Sequence, residues 1–420
     1  MKRLWILNHH SGLDGDRHFE LGKEMSKIGV EVTVFLSAFD HQKEEYLYDK
    51  PVTIRKIKNG LTYVWLRTVP EYHGNGAKRI LNMISYCQLM QKYEKVFYEK
   101  FGRPDVVIGS SVHPFSWESA WSIAKKNKIP FVCEIRDFWP LSFTEMYHYP
   151  WYHPVCLLFS ALERRAYRRA DSIVTTMEFG YKYLMQFPYV KRNRVFWIPN
   201  GYHTEQIDEV LEKGEVTLPK ELDQYLTEHW CAVYTGSFVD SECLLDMLDT
   251  AAFMKQQGMD EIHFALIGDG HLKAQMEERI QKEQLTNVKV FSRIEKSQVA
   301  VALSKAKCCI AALKDDRVLN DLGLSLNKLN DYLYSGNPTV FACNSQNVVA
   351  ESGGGYVVPC SDPKAYGEAL MKVYHMTDEE RTAMGERGRK EIREHYNYAL
   401  LAKDYLKILT DCEKSKGERR

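Results

Sequence analysis

Short apolar runs that end in small or polar residues alternate along this chain with longer segments of helical period, a pattern that predicts parallel sheets wound with helices. In the first half the runs place strands at 3–7, 31–35, 105–108, 131–134, 172–176 and 195–199, with helices near 18–28, 77–101, 116–127 and 155–170. Pro199-Asn200-Gly201 interrupts the pattern, and the acidic stretch after it reads as a connector over 201–228. A second series places strands at 231–234, 262–267, 288–291, 308–312, 339–342 and 356–358. Helical segments near 378–396 and 398–414 follow, those from about 385 to 415 expected to pack back on the first domain, with 414–420 as a disordered tail. The expected architecture is α/β: two Rossmann-like, doubly wound parallel-sheet domains, 1–200 and 229–384, facing a central cleft where open sheets of this kind bind ligands.

A length of 420 residues suits two cores better than one. Lys+Arg and Asp+Glu both number 56, which argues against a nucleic-acid binder that depends on bulk positive charge. The cancellation hides an asymmetry: residues 1–200 hold 29 basic against 20 acidic side chains, and the remainder 27 against 36. The ten cysteines are scattered without the spacing of a zinc site, which suits free thiols in a reducing cytoplasm and no bound metal. No apolar stretch approaches the roughly 18 residues that a membrane span needs, so membrane contact is expected to be peripheral.

Several segments carry candidate chemistry. The first strand runs into Asn8 to Arg17, where Gly15 and a helix amino end can approach an anion, unless this is a plain strand-to-helix turn. His113 follows the strand at 105–108 and either hydrogen-bonds a sugar or serves the structure. Glu134, Arg136 and Asp137 leave the end of an apolar strand, so they should satisfy one another or meet a polar ligand. Trp139 beside them covers a sugar face or packs under a loop. Gly236-Ser237 and Gly268-Asp269-Gly270 end two strands of the second half and either contact the donor or are turns of the kind that most α/β proteins have. The densest cluster runs from Gly323 to Pro338. There Ser325 is expected to cap a helix whose first turn, with Leu326, Asn327 and Lys328, faces a diphosphate, while Asp331 stands one turn on, placed for the hydroxyls of a ribose. A capped surface helix with a Lys328–Asp331 ion pair is the plainer reading. Arg164, Arg165, Arg168 and Arg169 close the helix at 155–170, after an aromatic stretch at 139–151; with Lys78 and Arg79 they suit an anionic membrane surface and its acceptor, or, for the helix end, an ordinary response to the helix dipole.

Taken together, Glu134-Ile135-Arg136-Asp137-Phe138-Trp139-Pro140, Ile198-Pro199-Asn200-Gly201, Leu266-Ile267-Gly268-Asp269-Gly270 and the cluster from Ser325 to Pro338 resemble glycosyltransferase family 4. Tyr63-Val64-Trp65-Leu66-Arg67 and the segment from Gly74 to Arg79 are similar to the bacterial branch that builds capsule, O-antigen and related surface polysaccharides. The resemblance implies a GT-B fold, a nucleotide-sugar donor held by the second domain, an acceptor held by the first, and retention of configuration without metal or cofactor. It implies Asp331 as the ribose-binding acid, Lys328 near the diphosphate, Arg293 near the base, and His113, Arg136 and Asp137 at the donor sugar. Two departures stand out. Many relatives carry two glutamates separated by seven residues, where this chain has Gly323 and an aspartate; the basic pair that many of them place after the first strand of the second domain is missing, with Ser237 and Glu242 nearby instead.

The expected function is transfer of a UDP-linked sugar onto a lipid-linked saccharide or similar acceptor at the inner face of the cytoplasmic membrane, in bacterial surface polysaccharide synthesis and without nucleic-acid partners. A non-hydrolysing nucleotide-sugar epimerase and a catalytically silent assembly scaffold are the alternatives. A nicotinamide-dependent dehydrogenase is disfavoured, since no Gly-x-Gly-x-x-Gly follows a strand.

Overall fold

The computed structural model describes residues 1–418 except 14, 42, 58–59, 75 and 147. Asp14 and Asn75 of the segments above lie outside the described residues. The chain divides into two compact units, Met1–Asn200 with Tyr398–Arg420, and Gly201–Asn397.

Unit 1 contains β1 (Arg3–Leu7), β2 (Glu31–Ser37), β3 (Phe39–Asp40), β4 (Glu45–Tyr46), β5 (Val52–Lys56), β6 (Leu61–Leu66), β7 (Val106–Ser111), β8 (Phe131–Ile135), β9 (Ser172–Thr175) and β10 (Val195–Trp197). Its main sheet runs β10-β9-β8-β7-β1-β2-β6-β5, parallel throughout except for the antiparallel β5–β6 pair. Unit 2 contains β11 (Trp230–Ser237), β12 (Ile262–Asp269), β13 (Val288–Phe291), β14 (Cys308–Ala312), β15 (Thr339–Ala342) and β16 (Gly355–Val358), all parallel in the order β13-β12-β11-β14-β15-β16. Central strands such as β1, β7, β11 and β14 are covered on both faces, which is why they consist almost wholly of apolar or small residues. Strand order reverses beside β1 in unit 1 and beside β11 in unit 2. The carboxyl ends of β1 and β7, and of β11 and β14, therefore define the ligand-binding edge of each sheet.

Three expectations are corrected. Residues 201–228 are not a bare connector: they form helices Thr204–Lys213 and Lys220–Glu228 and bury Leu218, Leu222 and Leu226 in the core of unit 2. The return to unit 1 begins only at Tyr398. Helix Asp378–Glu391 packs against helix Asn327–Tyr334 in unit 2, where a Cβ on Gly385 would meet the Gly336 carbonyl oxygen at 1.8 Å. Helix Tyr398–Glu418 packs on helix Arg17–Lys27 and, as far as Glu418, replaces the expected disordered tail. The β5–β6 hairpin was not foreseen. All ten cysteines are free, and no helix among the described residues is long and apolar enough to cross a membrane.

Candidate functional site

In unit 2 the ligand edge is built around helix Asn327–Tyr334. Leu326, extended at φ −97° and ψ 115°, is its N-cap and makes no side-chain cap bond, so the expected Ser325 cap is corrected: the helix starts one residue too late for it. The first-turn N–H groups are therefore not closed off by a side-chain cap, an arrangement suited to an anion. Lys328 does not pair with Asp331. Its ammonium forms an ion pair with Glu242, donates to the Tyr234 hydroxyl at 3.2 Å and stands 4.7 Å from the centre of that ring. The Lys328 and Glu242 side chains are 15% and 14% exposed. Burial lowers the Lys328 pKa, and Glu242 opposes the shift. Asp331 instead accepts from the Tyr202 hydroxyl; burial pushes its pKa up to about 6, against that hydrogen bond and the charge of Lys296.

The glycines at this edge do two different jobs. A Cβ on Gly236 would lie 3.0 Å from the Lys328 ammonium and 2.6 Å from the Tyr234 hydroxyl, so its bare backbone makes room for the lysine. Gly268 and Gly270 instead let the chain approach itself: a Cβ would meet the Gly236 carbonyl oxygen at 1.9 Å and the Phe238 carbonyl oxygen at 2.3 Å. Asp269 accepts from the Gly270 N–H at 2.8 Å and shapes the same turn. Ser237, Asn327 and Arg293 are exposed. Gly323 has φ +88°.

In unit 1, Glu134 is not satisfied by Arg136 or Asp137. It is fully buried between Arg17 (Nε to Oε1, 2.9 Å) and His18 (Nε2 to Oε2, 2.5 Å), and Tyr405 donates to it at 3.3 Å. Asn8 Nδ2 lies 2.9 Å from His18 Nδ1; if that amide donates, the ring proton sits on Nε2, facing Glu134. Burial works to raise the Glu134 pKa, but Arg17 and then His18 outweigh it and hold the carboxyl well below its usual range. Arg17 also donates to the Ile198 carbonyl at 2.9 Å and to that of Pro199. The network thus ties the end of β8 to the first helix, the end of the 195–200 segment and the last helix. Just beyond it, Ser111 Oγ accepts from the Arg136 N–H at 2.9 Å and donates to the Asp137 carbonyl at 3.4 Å. Asp137 is exposed at its rim yet crowded by protein, which raises its carboxyl pKa against the pull of Arg136.

His113 is fully buried, and neither ring nitrogen has a hydrogen-bond partner. Burial, then His9 and Arg79, holds its pKa well below that of a free imidazole. The Gly15 N–H donates to Glu20 at 2.7 Å, and Asp16 caps the following helix through the His18 N–H, so this loop's amides are partly taken by the protein's own carboxylates. Trp139 packs on Phe143 and Phe159 at 4.7 and 5.5 Å rather than standing free. On helix Pro154–Arg169, Arg165 and Arg169 both hold Glu118 at 3.0 Å, and Arg169 stacks 3.7 Å over Trp121. Arg164 and Arg168 are exposed and, with Trp151, Leu157 and Pro140, line a groove of about 700 Å³. Lys78 is exposed and Arg79 half-buried, at the start of helix Ala77–Phe101. Sequence reasoning missed the Arg17–His18–Glu134 network, Glu242 as the partner of Lys328, and a ring cluster of His9, His10, His41 and Tyr72 beside His113. Its available signals were Arg17-His18 opening the first helix and His9-His10 closing the first strand.

Residues 18–206 match the family model described as Glycosyltransferase Family 4, and residues 226–391 the one described as Glycosyl transferases group 1. The two matches cover most of the chain, which belongs to the glycosyltransferases of the two-domain GT-B fold. No curated protein matches it in sequence. Among solved structures it is similar to sucrose-phosphate synthase from Thermosynechococcus elongatus, at 14% identity and TM-score 0.73 over 99% of this chain and 100% of that one. It is also similar to HepE from Anabaena in complex with UDP and glucose, at 12% identity and TM-score 0.63 over 98% and 100%. A third is WaaG, a glycosyltransferase involved in lipopolysaccharide biosynthesis, at 13% identity and TM-score 0.65 over 97% and 99%. At such identities these likenesses carry the fold alone.

Proposed function

We propose that this enzyme is a retaining, metal-independent glycosyltransferase that moves a sugar from a UDP-linked donor to a lipid-linked saccharide in bacterial surface polysaccharide synthesis. The observation that carries the donor half is the placing of Lys328, on the first turn of a helix without a side-chain cap, beside the bare backbone of Gly236 and one turn before Asp331. Lys328 and the first-turn N–H groups hold the diphosphate, Asp331 takes the ribose hydroxyls, and Ser325, Leu326 and Asn327 border them. Arg293 lies toward the base. The bond between the sugar carbon and the diphosphate breaks while the acceptor oxygen bonds to the same face, and the acceptor's proton passes to the departing phosphate. His113, Arg136 and Asp137 serve the transferred sugar. The complex of HepE with UDP and glucose supports the choice of donor, and the role of WaaG the choice of pathway.

The acceptor half rests on unit 1. Trp151 and Tyr152 are 74% and 63% exposed, with Leu157 and Leu158 beside them, and Arg164 and Arg168 flank the groove. Apolar rings with basic neighbours suit a peripheral position on an anionic leaflet, at roughly 1 kcal/mol per basic residue. The test is Lys328→Ala. Turnover with UDP-sugars should fall at least 100-fold; because the change also leaves the mostly buried Glu242 carboxylate unpaired, the double variant Lys328→Ala/Glu242→Gln serves as the folding control, with the same loss of turnover and a melt near that of the parent. An unchanged rate defeats the assignment, and product formed from the nucleotide sugar without acceptor would favour an epimerase.

A further inference from the structure

Lys328 does not meet a diphosphate as a free cation, because the chain itself supplies the lysine with an anion. Its ammonium is ion-paired with Glu242 and donates to the Tyr234 hydroxyl at 3.2 Å. That hydroxyl gives its own proton to the Ser237 carbonyl at 2.9 Å, which turns a lone pair toward the lysine. Burial, then the charge of Glu242, pushes the Tyr234 pKa far up, so the phenol stays neutral and adds no second negative charge. An ammonium has three donors, and two acceptors of the protein already draw on it. The pair is neutral as a whole and mostly buried, where charges act on one another more strongly than in water. A diphosphate that takes Lys328 must therefore displace Glu242 or lie against its carboxylate, and like charges so close repel.

The two partners are not held equally. Lys328 stands on a helix fastened to β11, since Tyr332, one turn on, accepts from the Thr235 N–H at 2.8 Å and donates to the Thr235 carbonyl at 3.0 Å. Glu242 closes the short turn Asp240–Glu242, and Cys243 after it is left-handed at φ 47° and ψ 40°. The backbone of that turn is anchored by the Lys314 N–H on the Ser241 carbonyl at 3.1 Å and the Glu242 N–H on the Val239 carbonyl at 3.1 Å. Asp240, the other carboxylate of the turn, is 2.9 Å from His271. An exchange of partners at Lys328 thus asks only for rotation of the Glu242 side chain. The return is favoured too, because a mostly buried ammonium left without an anion is costly.

We infer that Glu242 is an internal counter-anion, which competes with the donor's diphosphate for Lys328 and takes the lysine back as the nucleoside diphosphate leaves. It is a positioning residue that acts through Lys328, and its role rests on the donor reading of that lysine. The consequence is quick release of the nucleoside diphosphate and weak inhibition by it.

The experiment measures UDP and uridine on the full chain, by isothermal titration and by stopped-flow dissociation, in the parent, Glu242→Gln, Glu242→Asp and Lys328→Ala/Glu242→Gln. Glu242→Gln should bind UDP about tenfold tighter and release it about tenfold more slowly, with uridine unchanged because it carries no phosphate. In turnover, KM for the donor and kcat should fall together, as slower release of product requires. The double variant has no lysine to compete for and should lose the gain. Glu242→Asp keeps the charge while drawing the carboxylate back by one methylene, so it should show a smaller gain of the same sign, and it carries the test if melting curves show Glu242→Gln unfolded. UDP bound no tighter by these variants, or a gain that uridine shares, overturns the inference and leaves the donor reading standing. Weaker binding of UDP in both would make Glu242 a support for the lysine and overturns it as well. UDP that binds none of the four forms removes the donor reading itself, and the inference with it.

Discussion

Asp331 shows how much one buried carboxyl decides. Burial raises its pKa to about 6, even though the Tyr202 hydroxyl and Lys296 pull the other way. Above that value it is a carboxylate, which in the proposed role accepts two hydrogen bonds from a ribose; below it, one oxygen carries a proton and accepts less well. UDP affinity should therefore weaken as pH falls through about 6. Titrations between pH 5 and 8 should show this inflection in the parent enzyme and lose it in Asp331→Asn, whose affinity at pH 7.5 should fall roughly 10- to 100-fold, as expected for the loss of charged hydrogen bonds. A parent profile that stays flat would remove the ribose from Asp331. The sign for stability is opposite: a carboxyl raised above its unfolded pKa is a burden when ionised, so this side chain adds relative stability as pH drops below 6. Binding and folding thus pull in different directions at one residue, a pattern common where a buried group serves a ligand.

At the scale of elements, Gly323 is the position that the family resemblance sets against the first of two glutamates. It has φ +88°, a backbone conformation that side-chain-bearing residues adopt at a cost of roughly 1–2 kcal/mol. Gly323→Glu should accordingly destabilise unit 2 by about 1–2 kcal/mol in urea unfolding and bring no gain in UDP affinity; tighter UDP binding would show that the turn accepts the relatives' residue. Legibility in the sequence follows the same physics. The parallel strands were readable because burial on both faces leaves them nearly continuously apolar, and Asn327, Lys328 and Asp331 because helical spacing groups them. The β5 strand alternates Val52 and Ile54 with Thr53 and Arg55 at a sheet edge, too polar to register beside its neighbours. Helices Thr204–Lys213 and Lys220–Glu228 show so many acidic residues outward that their inner leucines passed for a connector. The decisive contacts of the site were hidden by distance along the chain: Lys328 meets a residue 86 positions away, and Arg17 one 117 positions away.

At the scale of the whole molecule, the last helix belongs to the first unit, and its removal tests whether that unit can stand alone. Helix Tyr398–Glu418 buries Tyr398, Leu401, Ala402, Tyr405, Leu409 and Cys412 against the core that holds Leu4, Ile6, Val34 and Ile108. At roughly 1.5–3 kcal/mol for each large side chain, that burial is worth on the order of 10 kcal/mol. Net domain stabilities are about 5–15 kcal/mol, so the helix carries a share comparable to the whole. It also supplies the Tyr405 hydroxyl to Glu134 and the Lys416 ammonium to Asp171 at 2.6 Å. A chain ending at Asn397 should therefore lose unit 1 while keeping unit 2, whose core draws on none of these residues. Hydrogen exchange should show β1, β7 and β8 fully exchanging within the dead time of the experiment and β11, β12 and β14 still protected. Added UDP should continue to slow exchange around Lys328 and Asp331. Protection retained in β1 and β7 would mean that the helix merely covers a sheet able to hold itself together.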